Sequence, residues 1–392
     1  MAERLRRAAG VCLRLLPNGH VQASLHGRAV DAGPHGLAIF EALAQPMNRE
    51  ALLALLQQRC AASREELEPW LQRLLTRGLI QGEDAPQPRW GGGWVALRQH
   101  ATMLDDRSRS QGFVDALRRA VRPDDVVLDL GCGTGLLAIT AAKAGARKVY
   151  AVEASDFAEL ARVNIAANDP EGRITLLHGW SSELQLPERA TLLCSEIVGH
   201  EPLSENILAF FLDARRRLLQ PNARLIPHEL ELYALPLALG DSLHDTLGLS
   251  REQLLRYQAH YDMDCSALDR AARRQSQWLY LHPSEAQWIP RLGAPLLLAR
   301  IALHSFDSEE LHCEAELKLS EEGALGALLL YSKIVLDDEG YLNLGPSWAQ
   351  PDCSWKNAVW VLGEPMEVRP GQRVGLHYSY TVEGGAALRL ST

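Results

Sequence analysis

Two glutamates nine residues apart, Glu196 and Glu205 in the run SEIVGHEPLSEN, carry the most specific chemistry in this chain. A pair of carboxylates on one loop suits a planar cation such as a guanidinium, which each acid can meet with charge-assisted hydrogen bonds. A guanidinium, with a pKa above about 12, has no free lone pair with which to attack an electrophile. Carboxylates that draw the positive charge onto the nitrogens they bond leave the remaining nitrogen more nucleophilic, and they aim it. The plainer reading makes Glu196 a solvated loop acid and Glu205 the first residue of a helix, ENILAFFLDARRRLL, where a negative charge complements the helix dipole. Glu201, between them, reads as a surface acid, and His178 and His200 read as structural histidines rather than general bases.

What the acids act beside follows from the segment upstream. Val126–Leu130 reads as a buried strand ending in Asp129 and Leu130, and Gly131-Cys132-Gly133-Thr134-Gly135 turns directly into a helix. Glycines at 131, 133 and 135 let the backbone approach a ligand and set a helix N-terminus beside it. The next strand, beginning at Lys148, ends at Glu153, where a carboxylate can accept hydrogen bonds from ribose hydroxyls. A dinucleotide fingerprint would need glycine at position 136, which is Leu136, so the pattern favours S-adenosyl-L-methionine, with S-adenosyl-L-homocysteine as product. Ser181, Ser182 and Glu183 follow the strand Ile174–Leu177, where an adenine ring packs. The implied reaction is in-line transfer of a methyl group to nitrogen, for which no metal is needed.

Length and composition set the frame for these motifs. The 392 residues predict two or three domains. With 47% hydrophobic and 23% charged residues and no apolar run of membrane length, no membrane span is expected. The start MAERLRRAAG lacks the apolar stretch of a signal peptide, which points to the cytoplasm. Seven scattered cysteines without a CxxC pair fit neither a disulfide framework nor a zinc site. A formal charge of −9 argues against a nucleic-acid partner and is compatible with a cationic peptide.

The elements are legible in outline. Residues 11–31 read as a hairpin about Pro17-Asn18-Gly19. Three helices follow: from Pro34 to Ala44, from an N-cap at Asn48, and from a capping box at Ser63 and Glu66. The third has an apolar face of Leu67, Trp70, Leu71, Leu74 and Leu75, and Gly78 closes it. The Pro- and Gly-rich stretch Gly82–Gly93 reads as a linker. Strands and helices then alternate to Arg224, specifying a parallel sheet covered on both faces. A helical section at Asp241–Leu279 leads into β-type runs at Leu297–Leu303, Leu311–Leu319, Ala327–Leu336, Asn357–Leu362 and Arg373–Thr381.

From His100 onward the chain resembles the protein arginine methyltransferases. The run His100-Ala101-Thr102-Met103-Leu104-Asp105-Asp106-Arg107-Ser108-Arg109 is similar to that family's H-x-x-M-L-x-D-x-x-R segment, and VVLDLGCGTG, AAKAGARKVYAVEAS and the SE-x8-E loop to its other signatures. The resemblance implies that His100, Met103 and Arg109 line the cofactor site together with Asp129, the three loop glycines, Glu153, Ala154, Ser182 and Glu183. It implies that Arg109 holds the methionine carboxylate and that Glu196 and Glu205 grip the substrate guanidinium. Cys353-Ser354-Trp355-Lys356-Asn357 resembles the family's T-H-W-K-Q loop with Ser354 in place of its histidine, which makes Ser354 and Trp355 candidate substrate contacts. The chain departs from the family where GGGWVALRQ replaces a tyrosine-rich helix and where Ile197, Val198 and Ile207 stand at aromatic or methionine positions. The helical section occupies the place of that family's dimerisation arm, implying a homodimer.

The hairpin and three helices at the start resemble the recognition elements of enzymes that modify ribosomally made peptides, typified by the pyrroloquinoline quinone peptide chaperone. There a leader peptide adds as an extra strand beside the hairpin. A DNA-binding winged helix is disfavoured by Glu65, Glu66 and Glu68 on the third helix, which would repel phosphates.

The expected architecture is α/β: a winged-helix-like peptide-recognition domain over 1–85, a Rossmann-like class I methyltransferase domain over 86–228, and a mostly antiparallel, β-barrel-like substrate domain over 229–392 with a helical insertion. The expected function is S-adenosyl-L-methionine-dependent N-methylation of arginine in a ribosomally synthesised precursor peptide. The alternatives are another side chain, a folded protein, a purely structural first domain, or a DNA-binding regulator with a vestigial methyltransferase fold.

Overall fold

Two units divide the chain, Met1–Trp90 and Gly91–Thr392. The computed structural model describes residues 4–7, 11–16, 18–25, 28–76, 79–82, 97–169, 171–238, 240 and 247–391. In the first unit the helices begin where their caps put them. Asn48 accepts from Ala51 N (2.7 Å) and opens Arg49–Cys60. Ahead of Arg64–Thr76, Ser63 N donates to Glu66 Oε2 (2.7 Å) and Glu66 N to Ser63 Oγ (3.2 Å), the reciprocal bonds of a capping box. A cap of this kind contributes about 1 kcal/mol. Leu67, Leu71 and Leu74 are fully buried, and Trp70 and Leu75 pack at the edge of the same core.

The first helix is shorter than its expected span, Gly36–Ala42. Cys12–Leu15 pairs antiparallel with Val21–Leu25 as the expected hairpin, and Arg28–Asp31 adds a third strand. A second small sheet joins Arg4–Arg7 with Met47–Asn48 and Ile80–Gly82. Strands this short carry no readable period, which is why the sequence does not announce them. Gly82 therefore ends a strand, whereas Gly78 and the linker residues after Gly82 lie outside the described residues. Gly33 has φ +77°, and a Cβ there would come within 2.6 Å of the Trp70 ring. Gly33→Ala is expected to lower stability by about 1–3 kcal/mol, read as a fall in Tm.

In the second unit Val126–Leu130 is buried along its whole length, as a central parallel strand must be. It lies in the middle of a five-stranded parallel sheet whose order is Leu219–Ile226, Ala190–Cys194, Val126–Leu130, Lys148–Glu153, Ile174–His178. The helices Leu97–Asp105, Arg107–Ala120, Leu136–Lys143, Ala158–Asn168 and Ile207–Arg217 complete this half. Two boundaries differ from expectation. The last helix starts at Ile207, capped by Asn206 in the left-handed conformation (φ 59°, ψ 32°), so Glu205 lies outside the helix rather than opening it. The last strand starts at Leu219 instead of Arg224, because the turn-like Gln220-Pro221-Asn222 is taken up in an irregular register between the pairs Leu219–Ala190 and Arg224–Leu192.

The remaining strands are antiparallel. One sheet runs Gln277–Leu281, Asn357–Val368, Gly323–Val335, Glu229–Ala238, Leu296–Ala302, with Tyr341–Asn343 also on Gly323–Val335. The other is Leu311–Lys318, Arg373–Thr381, Gly385–Ser391. The helical section is confined to Arg251–Tyr261 and Ser266–Arg273 among the described residues; Gln277–Leu281 is an edge strand, and 241–246 lie outside the description. No boundary between cores falls at 228/229. Leu128 and Phe211 from the parallel half and Leu230, Leu328, Trp355 and Tyr378 from the antiparallel half belong to one buried cluster. Among the described residues no helix is long and apolar enough to cross a membrane.

Candidate active site

The glycine turn is built to bring backbone close to something. Gly131, Gly133 and Gly135 all have positive φ (+78°, +49° and +82°), a region that side-chain-bearing residues rarely occupy. Space is short as well: a Cβ on Gly131 would lie 2.9 Å from Ile197, and one on Gly133 would lie 3.0 Å from the His100 ring. His100 is buried and stacks on Phe157 with centroids 3.7 Å apart. Gly131 N and Cys132 N donate to Val152 O (2.9 and 2.8 Å), which ties the turn to the neighbouring strand.

Glu153, at the end of that strand, is buried and stitched to the turn. Its Oε2 accepts from Gly133 N (2.9 Å) and its Oε1 from Ser155 N and Oγ (2.9 and 2.6 Å). Asp129 accepts from Ala138 N (2.8 Å) in the first turn of Leu136–Lys143, while its Oδ1 is buried with no hydrogen-bond partner among the described residues. Burial pushes the Asp129 carboxyl up to about 7 against that hydrogen bond, and the nearby Glu153 charge adds to the rise. Ala154 is half-buried, Ser182 and Glu183 are exposed, and Ser181 is buried with its carbonyl taken by Arg217. Met103 is half-buried, and its carbonyl accepts from Ser110 Oγ (3.1 Å).

The two expected substrate acids converge on a guanidinium that belongs to the protein itself. Arg109 Nη2 makes an ion pair with Glu196 Oε2, and Arg109 Nη1 donates to Ser354 Oγ (2.9 Å). Glu205 and Arg109 also act on each other electrostatically, the arginine holding down a carboxyl that burial, the larger effect, raises to about 7. The Arg109 guanidinium carbon stands 4.3 Å from the centre of the Trp355 ring, a cation–π contact. Glu196 Oε1 is buried without a hydrogen-bond partner among the described residues.

The residue expected to hold the cofactor carboxylate thus sits on the acid expected to hold the substrate. Ser354, which stands where the resembled loop has histidine, donates from N and Oγ to Asp106 Oδ2 (2.7 and 2.9 Å). Asp106 is 1% exposed, and its Oδ1 accepts from Arg109 N (3.1 Å), so one carboxylate fixes both the backbone of Arg109 and the loop beneath it. Trp355 is 4% exposed and donates from Nε1 to Val198 O (2.7 Å). A cavity of about 280 Å³ opens beside this group, lined by Asp106, Arg109, Tyr341, Asn343, Trp348 and Trp355.

One reading of this loop needs correction. Glu201 is 4% exposed rather than a surface acid. Val198 and Ile207 are core residues, leaving Ile197 as the member of that trio that covers Gly131. His200 accepts from Lys356 N at Nδ1 (3.1 Å), which leaves its proton on Nε2 when neutral and suits a structural role. The sequence reading left Asp106 out of the site, although its place three residues before Arg109, within the run from His100, was the available signal.

A family model described as ribosomal protein L11 methyltransferase (PrmA) matches residues 110–226. A probable protein arginine N-methyltransferase 6 of Arabidopsis thaliana is 32% identical over 177 residues, covering 45% of this chain and 39% of that protein. Protein arginine N-methyltransferase PRMT10 of Oryza sativa subsp. japonica is 31% identical over 205 residues, 48% of this chain and 54% of that protein. The chain spans about half the length of the curated relatives it matches. The solved Trypanosoma brucei PRMT1 enzyme-prozyme heterotetrameric complex with AdoHcy superposes with a TM-score of 0.64 at 25% identity, over 76% of this chain and 94% of that one. Arabidopsis thaliana protein arginine methyltransferase 10 gives 0.60 at 20% identity, over 76% and 98%. The second unit therefore has a class I methyltransferase fold like that of the protein arginine methyltransferases, a Rossmann-like parallel sheet followed by an antiparallel β domain.

Proposed function

We propose that the chain is an S-adenosyl-L-methionine-dependent N-methyltransferase acting on arginine side chains of a ribosomally synthesised precursor peptide. The observation that carries the reading is the Arg109 guanidinium, paired with Glu196, in the field of Glu205 and stacked on Trp355. A site that holds one guanidinium in this way has the charge and shape to hold another.

The cofactor's fit is supported by the positive-φ glycine turn, where a Cβ would crowd Ile197, His100 or Ile165, and by the buried Asp129 Oδ1, which has no hydrogen-bond partner among the described residues. When bound, S-adenosyl-L-methionine supplies an electrophilic methyl group and leaves as S-adenosyl-L-homocysteine. Glu153 would take the ribose hydroxyls, Ser182 and Glu183 the adenine, and His100, Met103 and Arg109 the methionine end, with Gly131, Gly133, Gly135 and Ala154 shaping the floor. Glu196 and Glu205 orient the substrate guanidinium and draw its positive charge to one side, so that the free nitrogen keeps its lone pair. Trp355 supplies a flat wall, and Ser354 holds Arg109 in place. Glu153→Ala is expected to weaken S-adenosyl-L-methionine binding about ten- to hundredfold, since each lost charge-assisted bond contributes about 1.5–3 kcal/mol. Calorimetry showing unchanged affinity would remove Glu153 from the site.

For the first unit we propose leader binding on a winged-helix-like element. Cys12–Leu15 is an edge strand, and Leu13 (37%) and Leu15 (71%) are exposed, which supports addition of a peptide strand there. The chain would act in the cytoplasm as a homodimer; the dimer is supported by the helices Arg251–Tyr261 and Ser266–Arg273, which bury no residue and expose Leu255 and Leu268. Mass spectrometry after incubation with arginine-containing peptides tests the activity. A methyl on a guanidino nitrogen, absent when arginine is replaced by lysine, is expected; transfer to lysine would overturn the substrate. A leader-only peptide should compete with the full precursor, and indifference would detach the first unit from recruitment.

A further inference from the structure

Glu201 has no part in the proposed methyl transfer, yet it is held on both carboxylate oxygens and at its carbonyl. Both of its carboxylate oxygens accept hydrogen bonds: Oε1 from the hydroxyl of Tyr378 (2.8 Å), itself 1% exposed, and Oε2 from Leu203 N (3.2 Å). Its carbonyl takes Ser204 N (3.0 Å) and Ser204 Oγ (2.8 Å), curling the loop so tightly that a Cβ on Gly199 would collide with Ser204 Oγ. Farther along, the hydroxyl of Tyr380 donates to Asn206 Oδ1 (2.5 Å). Tyr378 and Tyr380 are i and i+2 on the strand Arg373–Thr381 and so point to one face of it. One β-strand thus grips the loop at two points, one before Glu205 and one after it. A carboxyl buried this far is a net cost unless its hydrogen bonds hold something in place.

We propose that Glu201 is a positioning residue: clamped by Tyr378, it fixes the loop carrying Glu196 and Glu205 so that both acids face the same guanidinium. The inference rests on the arginine reading for its kinetic consequence, though not for its structural one. Leu203 and Ser204 close the loop on the Glu201 side, and Asn206 with Tyr380 sets where Ile207–Arg217 begins. Displacing either acid by about 1 Å would be enough to cost about a hundredfold in rate.

The test combines hydrogen exchange over residues 199–204 with steady-state kinetics on an arginine peptide, using the wild-type chain, Glu201→Ala, Glu201→Gln and Tyr378→Phe. Glu201→Gln keeps the shape and an acceptor and is expected to stay within about threefold of wild-type kcat, since a neutral hydrogen bond replaces a charged one of about twice the strength. Glu201→Ala and Tyr378→Phe are expected to lower kcat about ten- to hundredfold. In both, exchange should be faster in the loop, and the KM for S-adenosyl-L-methionine and the exchange of the parallel sheet should be unchanged. If Glu201→Ala unfolds the protein, Tyr378→Phe, which removes a single oxygen, decides the matter. Wild-type exchange and kcat in Tyr378→Phe would overturn the clamp. So would a Glu201→Gln variant as slow as Glu201→Ala with its loop still protected, since that would make Glu201 a third substrate acid. If the wild-type chain transfers no methyl to arginine, the arginine reading fails, and the exchange data alone still decide whether Glu201 anchors the loop.

Discussion

Glu196→Gln should lower methyl transfer to an arginine peptide by at least about a hundredfold while preserving cofactor binding, the scale seen when one preorganised electrostatic group is removed. The substitution keeps the size of the side chain and changes two things. It removes the negative charge that meets a guanidinium, and it turns one acceptor into an N–H donor facing other N–H donors. In the structure Oε2 engages the Arg109 guanidinium and Oε1 is buried without a hydrogen-bond partner among the described residues, which leaves Oε1 as the oxygen to meet a second guanidinium. Partial burial makes the loss larger than at a surface, because a desolvated partner left unpaired costs more than one in water. Kinetics with calorimetry on the same variant separate the two roles. Full turnover by Glu196→Gln would remove the carboxylate mechanism, and loss of cofactor affinity would place Glu196 on the cofactor instead.

A second large effect is expected from pH. Burial raises the Glu205 carboxyl from the ordinary carboxylate range to about 7, and the Arg109 charge only partly offsets it. Only the ionised acid can draw charge from a guanidinium, so kcat/KM, which reports the free enzyme, should fall about tenfold per pH unit below about 7. A bound guanidinium favours the ionised acid, so kcat should fall at lower pH than kcat/KM does. Stability has the opposite sign. A carboxyl whose folded pKa is raised stabilises the fold in its neutral form, and that contribution is lost as pH rises from the ordinary carboxylate value through about 7. Glu205→Gln should therefore raise Tm at pH 8 relative to wild type, leave it unchanged at pH 4, and abolish the acidic limb of kcat/KM. Glu201 is also raised to about 7 by burial, against hydrogen bonds from Tyr378 and the loop backbone. An acidic limb that survives in Glu205→Gln and vanishes in Glu201→Gln would reassign the titration.

The strand, glycine turn and helix of the proposed cofactor side were legible because their signals are local. The strand Val126–Leu130, three glycines at alternate positions and an acid at the end of the next strand lie within one stretch of chain, and each residue type answers a backbone need. The capping boundaries at Asn48 and Ser63 were legible for the same reason. On the side proposed for the substrate, the sequence shows only the two acids. That Arg109 would lie on Glu196 is a tertiary fact, since the two come from a helix and a loop brought together by the sheet. Glu201 looked exposed because its partner, Tyr378, is 177 residues away, and nothing in SEIVGHEPLSEN shows that a hydroxyl waits there. Gln277–Leu279, the end of the expected helical section, is strand: so few residues have too short a period to separate helix from strand, and pairing of Gln277–Leu281 with Asn357–Val368 decides it. Apolar residues on both sides of 228/229 fill one core, which no local pattern records.

Methyl transfer to arginine requires that Glu196 and Glu205 read a cationic guanidinium. Calorimetric titration of the chain loaded with S-adenosyl-L-homocysteine at pH 8, with an arginine peptide and with the same peptide carrying citrulline, its neutral near-isostere, asks this without turnover. The account predicts that arginine binds at least about tenfold more tightly, in line with about 1.5–3 kcal/mol for a charge-assisted hydrogen bond, and that Glu196→Gln removes the preference. Equal affinity for the two peptides in the wild-type chain would contradict it.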